Sequence, residues 1–368
     1  MSIIIKKIVF VIHSLQAGGM ERVVTEFANH FVEKKNIEVH IILYGIKRDI
    51  FYKLNNKINI HKPDFTFDNK RRLLSTIKTV LFLRKKINKL VPDTVVSFGE
   101  YWNNLVLMAV YGLKTPIYIA DRSSPLKNLG SIQNSLRKWL YPKAAGLILQ
   151  TQEAKAIYQN QFKKLNISVI GNPIREIDNI NNIKRENIVL MVGRLIDSKH
   201  QDRLIKIFSK INKSDWKLVL VGGDAKKQKN KEKLTKLING LKIENRIILA
   251  GSQKNVESYY LKSKIFVFTS SSEGFPNVIG EAMAAGLPVV AYDCVSGPSE
   301  IINNKEDGFL VPLYDDKMFQ EKLEMLMKNE ELRKIMGKRA VINIKRFDNE
   351  KISNEFLKTV LNKQQNIN

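Results

Sequence analysis

The feature that most constrains this chain is an alternation along almost its whole length: short runs of β-branched and other apolar residues, each followed by an amphipathic stretch of helical period. Such alternation builds βα units, because one parallel strand can follow another only through a long crossover, usually a helix. Strands are expected at residues 7–13, 38–44, 94–98, 117–120, 146–149 and 167–170. A loop-like stretch, Gly171-Asn172-Pro173 through the Asn-rich 179–182, then interrupts the pattern. It restarts at 188–192, 217–221, 247–250, 265–268, 288–291 and 308–311. Two successive doubly wound α/β domains follow, residues 1–172 and 173–348. Open sheets of this kind take ligands beyond the carboxyl ends of their strands, so the active site is expected in a cleft between the domains.

Composition supports two cores and excludes a disordered chain: 44% of the 368 residues are apolar and 26% charged. The net charge of +25 calls for a polyanionic partner, whether nucleic acid, an acidic membrane surface or a phosphate-bearing substrate. The excess is uneven: 27 basic against 11 acidic residues up to position 172, then 34 against 25. Cys294 is the sole cysteine, which excludes a disulfide framework and a cysteine-ligated metal site. Lys6-Lys7 precedes an apolar run, 8–12, too short for a signal peptide, so it reads as a first strand. No apolar run approaches the roughly 18 residues of a spanning helix, so any membrane contact is expected to be peripheral.

Three turns carry chemistry. Ala17-Gly18-Gly19-Met20-Glu21-Arg22 follows the first strand and opens a helix, where paired glycines let amides approach an anion; a tight strand-to-helix turn is the plainer reading. Val192-Gly193-Arg194-Leu195, with Lys199 shortly after, again lies between strand and helix, and a guanidinium beside an ammonium suits a diphosphate. The third and most specific is Ser270-Ser271-Ser272-Glu273-Gly274-Phe275-Pro276-Asn277-Val278-Ile279-Gly280-Glu281. Residues 274–277 offer amides at a helix start, Glu281 follows about one turn inside, and carboxylates accept hydrogen bonds from the paired hydroxyls of a ribose or hexose. No Asp-x-Asp metal motif is present.

The Glu-x7-Glu element, the Gly-Arg with its following lysine and the Gly-Gly turn resemble family 4 glycosyltransferases of the GT-B fold. The resemblance covers essentially the whole chain and is most specific in the second half. It implies two Rossmann-like domains and a retaining, metal-independent transferase with no cofactor. The co-substrate would be a nucleotide-diphosphate sugar, a UDP-sugar in the first instance. By the same resemblance Arg194 and Lys199 take the donor diphosphate, with the amides at Gly18 and Gly19 assisting. Glu281 takes the ribose hydroxyls. Glu273, with the amides of Gly274, Phe275, Pro276 and the start of the helix at Asn277, holds the transferred sugar and adjoining phosphate; the loop 251–254 borders the base. A C-terminal helix, about 350–361 within 349–368, crosses back to the first domain. Two departures stand out: Val221-Gly222-Gly223-Asp224 where many members carry Gly-Asp-Gly, and Asp121-Arg122-Ser123 where many carry Glu-His-Ser. Asp121 and Arg122 are thereby placed on the acceptor side, while all five histidines are read as structural or surface residues.

Residues 69–90 hold eight cations (Lys70, Arg71, Arg72, Lys78, Arg84, Lys85, Lys86, Lys89) and no acid, with apolar residues at helical spacing. One reading is a solvated surface helix whose apolar stripe packs on the sheet. The other is a basic amphipathic helix that meets anionic lipid headgroups or the diphosphate of a polyprenyl-linked acceptor, which makes Arg71, Arg72, Lys78, Arg84 and Lys85 acceptor-side candidates. The expectation is a glycosyltransferase on the inner face of the cytoplasmic membrane, adding a hexose or N-acetylhexosamine to a lipid-linked or surface-polysaccharide acceptor. Alternatives are a GT-B enzyme with a soluble acceptor, a nucleotide-sugar epimerase or a non-catalytic anion-binding protein. Nothing supports a nucleic-acid partner: helix-turn-helix, zinc and stacked-aromatic signatures are lacking.

Overall fold

A computed structural model describes residues 4–178, 182–225 and 228–362, so the Asn-rich positions 179–181 lie outside the described residues. The chain forms two compact units. One gathers the residues up to Pro173 together with the chain from Asn349 onward; the other spans Ile174–Asp348.

The first unit holds a seven-stranded sheet: β1 (Lys6–Ile12), β2 (Ile37–Leu43), β3 (Asn59–His61), β4 (Thr94–Phe98), β5 (Ile117–Ala120), β6 (Gly146–Leu149) and β7 (Ile167–Val169). All neighbours are parallel in the order β3-β2-β1-β4-β5-β6-β7, with Phe10 opposite both Ile41 and Val96. Its helices are α1 (Gly19–Val32), α2 (Arg72–Leu90), α3 (Glu100–Val110), α4 (Ser131–Leu140) and α5 (Gln152–Gln161). The central strands are apolar on both faces, as a sheet covered by helices on each side requires. The edge strand β3 is short and largely exposed, which is why no apolar run marks it in the sequence.

The second unit repeats the plan with six parallel strands, β8 (Ile188–Val192), β9 (Lys217–Val221), β10 (Ile247–Gly251), β11 (Ile265–Phe268), β12 (Val289–Asp293) and β13 (Gly308–Pro312), ordered β10-β9-β8-β11-β12-β13. Between and after them run α6 (Gln201–Ser209), α7 (Asn230–Gly240), α8 (Glu257–Lys262), α9 (Asn277–Ala284), α10 (Pro298–Ile301), α11 (Asp316–Lys328) and α12 (Glu330–Ile344). Each unit closes its own core, around Val95, Ile119 and Leu147 in the first and Val189, Leu218 and Val267 in the second. A last helix, α13 (Asn349–Leu361), belongs to the first unit, where Phe356 stacks on Phe27 of α1 at 4.2 Å between ring centroids.

Candidate active site

In the second unit the strand order turns around between β8 and β11, so the loops leaving these strands diverge and leave the crevice where an open α/β sheet receives a ligand. Arg194, Lys199, Glu273 to Asn277 and Glu281 all lie on these two loops or the helix that follows.

Beyond β8 the chain runs Gly193-Arg194-Leu195 and makes one 3₁₀ turn, Asp197–Lys199. Three loops stack here: Gly193 N donates to Val221 O (2.9 Å), Leu195 N to Gly223 O (2.9 Å) and Gly222 N to Gly251 O (2.8 Å). Gly222 has φ +147°, and a Cβ there would lie 1.9 Å from the Gly193 carbonyl oxygen, so a side chain is excluded. Arg194 is exposed, and its guanidinium pairs with no acid among the described residues.

Beyond β11 a run of hydroxyl residues straps the second loop to the first. Thr269 Oγ1 donates to Lys199 O (2.8 Å), and Ser270 Oγ (3.1 Å) and Ser271 N (2.9 Å) donate to Ser198 O. Within this strap Lys199 Nζ is ion-paired with Glu273 Oε1, and the ammonium sits 5.2 Å from the Phe268 ring centroid. His200 Nε2 lies 2.8 Å from Ser271 Oγ, so this histidine supports the site rather than standing apart from it. Gly297, after β12, backs the same loop: a Cβ there would lie 2.8 Å from Pro276 Cδ and 3.3 Å from Glu273 Cβ.

The structure corrects the share of Pro276. It is the N-cap of α9 and has no N–H to donate, while Asn277 N is already bonded to Phe275 O (3.0 Å). The amides of Gly274 and Phe275 remain as donors, and the Phe275 ring is buried against Phe347, 5.2 Å between centroids. Glu281, one turn inside α9, is buried and accepts a hydrogen bond from Tyr260 of α8 (2.8 Å), a partner its sequence position does not announce. A concavity of about 630 Å³ in this unit lies by the strand starts, lined by Arg185, Lys264, Pro288 and Lys338, and holds none of these residues.

In the first unit the order turns around between β1 and β4. Gly18 caps α1 and Gly19 begins it; the Tyr52 hydroxyl accepts from Gly18 N (3.3 Å) and donates to Gly18 O (3.1 Å). His13 stacks on Trp102 at 5.0 Å, and burial lowers its pKa. The sequence reading took His13 as a structural or surface residue and passed over Trp102; the aromatic pair Tyr101-Trp102, just after Gly99-Glu100 at a strand end, was the available signal.

One acceptor-side expectation is overturned. Asp121 is buried in a structural network, paired with Arg137 Nη2 (2.9 Å) and accepting from Tyr141 (2.8 Å), Asn103 (2.8 Å) and Tyr158. Desolvation pushes its pKa up to about 6 despite Arg137, and no surface of it is left for an acceptor. Arg84 is half-buried, and its Nη1 donates to the carbonyls of Ala109 (3.1 Å) and Tyr111 (2.7 Å) at the end of α3. Arg122 donates from Nη1 to Asn172 (2.8 Å) and lies over Phe98, with Nε and Nη2 buried and unpartnered; desolvation lowers its pKa to about 9. Arg72 reaches the Tyr101 hydroxyl (3.1 Å), while Arg71, Lys78 and Lys85 are exposed.

The helix 69–90 begins only at Arg72, and it buries Ser75, Thr79, Leu83 and Ile87. Of the apolar stripe that the solvated-helix reading packs on the sheet, Leu83 and Ile87 do face the core, whereas Leu73, Leu74, Ile77 and Leu81 point outward. Among the described residues no helix is long and apolar enough to cross a membrane.

Residues 173–342 match the family described as Glycosyl transferases group 1, and residues 17–176 match Glycosyltransferase Family 4. The chain is 31% identical to the N-acetylgalactosamine-N,N'-diacetylbacillosaminyl-diphospho-undecaprenol 4-alpha-N-acetylgalactosaminyltransferase of Campylobacter jejuni, over 97% of this chain and 100% of the relative. It is 28% identical to the amylovoran biosynthesis glycosyltransferase AmsD of Erwinia amylovora, over 88% and 90%. Among solved structures, Anabaena HepE in complex with UDP superimposes with a TM-score of 0.79, covering 96% of this chain and 99% of that one at 18% identity, which shows a shared fold.

Proposed function

Because the chain belongs to the group 1, family 4 glycosyltransferases, of GT-B fold, we propose that it moves a hexose or N-acetylhexosamine from a nucleotide-diphosphate sugar to a lipid-linked or surface-polysaccharide acceptor. The observation that carries the donor half is the Lys199–Glu273 ion pair with Arg194, which pairs with no acid among the described residues, at the point where the second sheet turns around. The acceptor class is supported by the Campylobacter relative, whose name specifies an undecaprenol-linked glycan, and by AmsD, named for polysaccharide biosynthesis. A UDP-sugar is the first donor to try.

In the reaction the bond between the sugar C1 and the phosphate oxygen breaks, and the acceptor oxygen bonds to C1 on the face the phosphate leaves. The acceptor proton passes to an oxygen of the departing diphosphate, so no separate base is required and configuration is retained. The barrier is then chiefly the charge developing on the leaving group. Fixed cations and amides aimed at such charge are usually the largest catalytic contribution. Arg194 grips two phosphate oxygens, Lys199 exchanges part of its pairing with Glu273 for a third, and the Gly274 and Phe275 amides complete the cradle. Glu273, released in part from Lys199, accepts from the sugar hydroxyls, and Glu281, oriented by Tyr260, from those of the ribose.

We place the protein peripherally at the inner face of the cytoplasmic membrane, with the cations of α2 toward anionic headgroups or the acceptor's own diphosphate. A nucleotide-sugar panel read by nucleotide release, with and without membrane lipid extract, tests the proposal. One donor should respond, and the extract should stimulate its consumption. Release from no donor under either condition would leave only anion binding.

A further inference from the structure

The helical face of the first unit that contains α2 carries more than cations. Helix α3 packs between α2 and α4, and Arg84 ties α2 to the end of α3. On α2 the outward residues Leu73, Leu74, Ile77 and Leu81 are 47 to 75% exposed. On α4, Ile132 is 78% and Trp139 54% exposed. Tyr111, just past α3, is equally open at 54% and lies against Trp139 with centroids 5.9 Å apart, and Lys143 Nζ stands 5.3 Å from both rings. Between these two clusters the half-buried positions of α3 are Tyr101, Trp102, Leu105 and Met108, none of them charged.

Charge on the same stretch is one-sided. Residues 69–149 contain fourteen lysines and arginines and three acids. Each acid is already engaged: Asp93 with Lys6, Glu100 with Lys127 and Ser123, Asp121 with Arg137. Large apolar side chains on a water-facing helix are costly to leave wet, and here they are flanked by cations with no free carboxylate among them. That combination matches the headgroup layer of an anionic bilayer, where apolar groups enter the acyl boundary, Trp and Tyr settle at the interface, and Lys and Arg remain among the phosphates. A second copy of the same face would meet it with like charge.

We propose that this face docks on an anionic membrane by insertion at two points, the Leu73/Leu74/Ile77/Leu81 row of α2 and the Ile132/Trp139/Tyr111 cluster of α4 and the α3 end. Docking at two separated points fixes the tilt of the first unit on the bilayer, which a single basic helix does not. The inference deepens the peripheral placement proposed above and rests on it, but it does not require the transferase reading.

The test uses the full chain and vesicles free of any glycolipid, either neutral phosphatidylcholine or phosphatidylcholine with phosphatidylglycerol, at physiological salt. Flotation should recover the protein with the anionic vesicles, and vesicles brominated in the acyl chains should quench tryptophan fluorescence in wild type but not in Trp139→Phe. The pairs Ile77→Ser with Leu81→Ser, and Ile132→Ser with Trp139→Ser, should each weaken binding about tenfold or more, since each removes two inserted side chains. Wild-type flotation without quenching would show charge-only adsorption and overturn insertion. Loss with the α2 pair alone would remove the second anchor. No flotation, or a dimer in solution dispersed by the same substitutions, would assign the face to another occupant. Donor hydrolysis measured without vesicles on the same proteins keeps a failure of docking separate from a failure of the enzymatic reading.

Discussion

Lys199 Nζ and Glu273 Oε1 form an ion pair across 74 positions of sequence, joining the turn before α6 to the loop before α9 at the reversal point of the second sheet. Both side chains are mostly buried, so neither group is spent on solvent, and the pair holds in register the two loops assigned to the proposed donor. Lys199→Ala should therefore lower kcat about 10²-fold while the protein stays folded, since it removes charge aimed at the leaving group. Steady-state kinetics with a saturating donor reads this directly; an effect confined to KM would reduce Lys199 to ground-state binding.

Arg194 is exposed and engages no acid among the described residues, so its removal should cost catalysis without costing stability. For Arg194→Ala we expect kcat/KM to fall by more than tenfold, about 1.4 kcal/mol or more of transition-state stabilisation, with an unchanged melting temperature. Turnover within tenfold of wild type would refute the cation clamp.

Gly222 has positive φ, and its missing Cβ would collide with the carbonyl that precedes Arg194. Gly222→Ala should lower stability by about 1–3 kcal/mol and raise the donor KM, because the Arg194 loop must move aside. A variant with wild-type melting and donor KM would mean that the three-loop stack does not set the position of Arg194.

Asp121 predicts a pH signature of folding rather than of catalysis. Desolvation raises its folded pKa to about 6 from an ordinary value near 3.8. The folded state then holds the proton more tightly than the unfolded one. This contribution is complete below about pH 4 and is lost as pH rises through 6, on the order of 3 kcal/mol. Denaturant unfolding of wild type against Asp121→Asn from pH 4 to 7 isolates it, and a flat difference would contradict it. Asp121→Ala, which leaves Arg137 buried and unpaired, should cost about 3–5 kcal/mol.

The sheet strands were legible because parallel strands buried on both faces read as continuous apolar runs; among the described residues twelve of thirteen stand where such runs occur, and the exposed edge β3 left no trace. The second-unit site was legible for a similar reason: its groups sit on two short loops, each following a recognisable strand. What stayed hidden depends on tertiary pairing. Asp121 and Arg122 look alike in sequence, yet the fold sinks one in a network of Arg137, Asn103 and Tyr141 and leaves the other with unpartnered donors. The α2 stripe misled because hydrophobic period reports a helix but not which face is covered: the polar Ser75 and Thr79 are buried through hydrogen bonds to Asp68 and within the helix, while four larger residues face outward. Gly297, Thr269 and Tyr260 support the site from elements that carry no motif of their own.

The most direct measurement is mass spectrometry of lipid-linked glycans after incubating the full chain with membrane lipid extract and the one nucleotide sugar it consumes, wild type beside Arg194→Ala. The account predicts an acceptor lengthened by a single sugar residue with wild type and more than tenfold less with the variant. Donor consumed with no sugar gained by any lipid or polysaccharide, or equal product from both proteins, would contradict it.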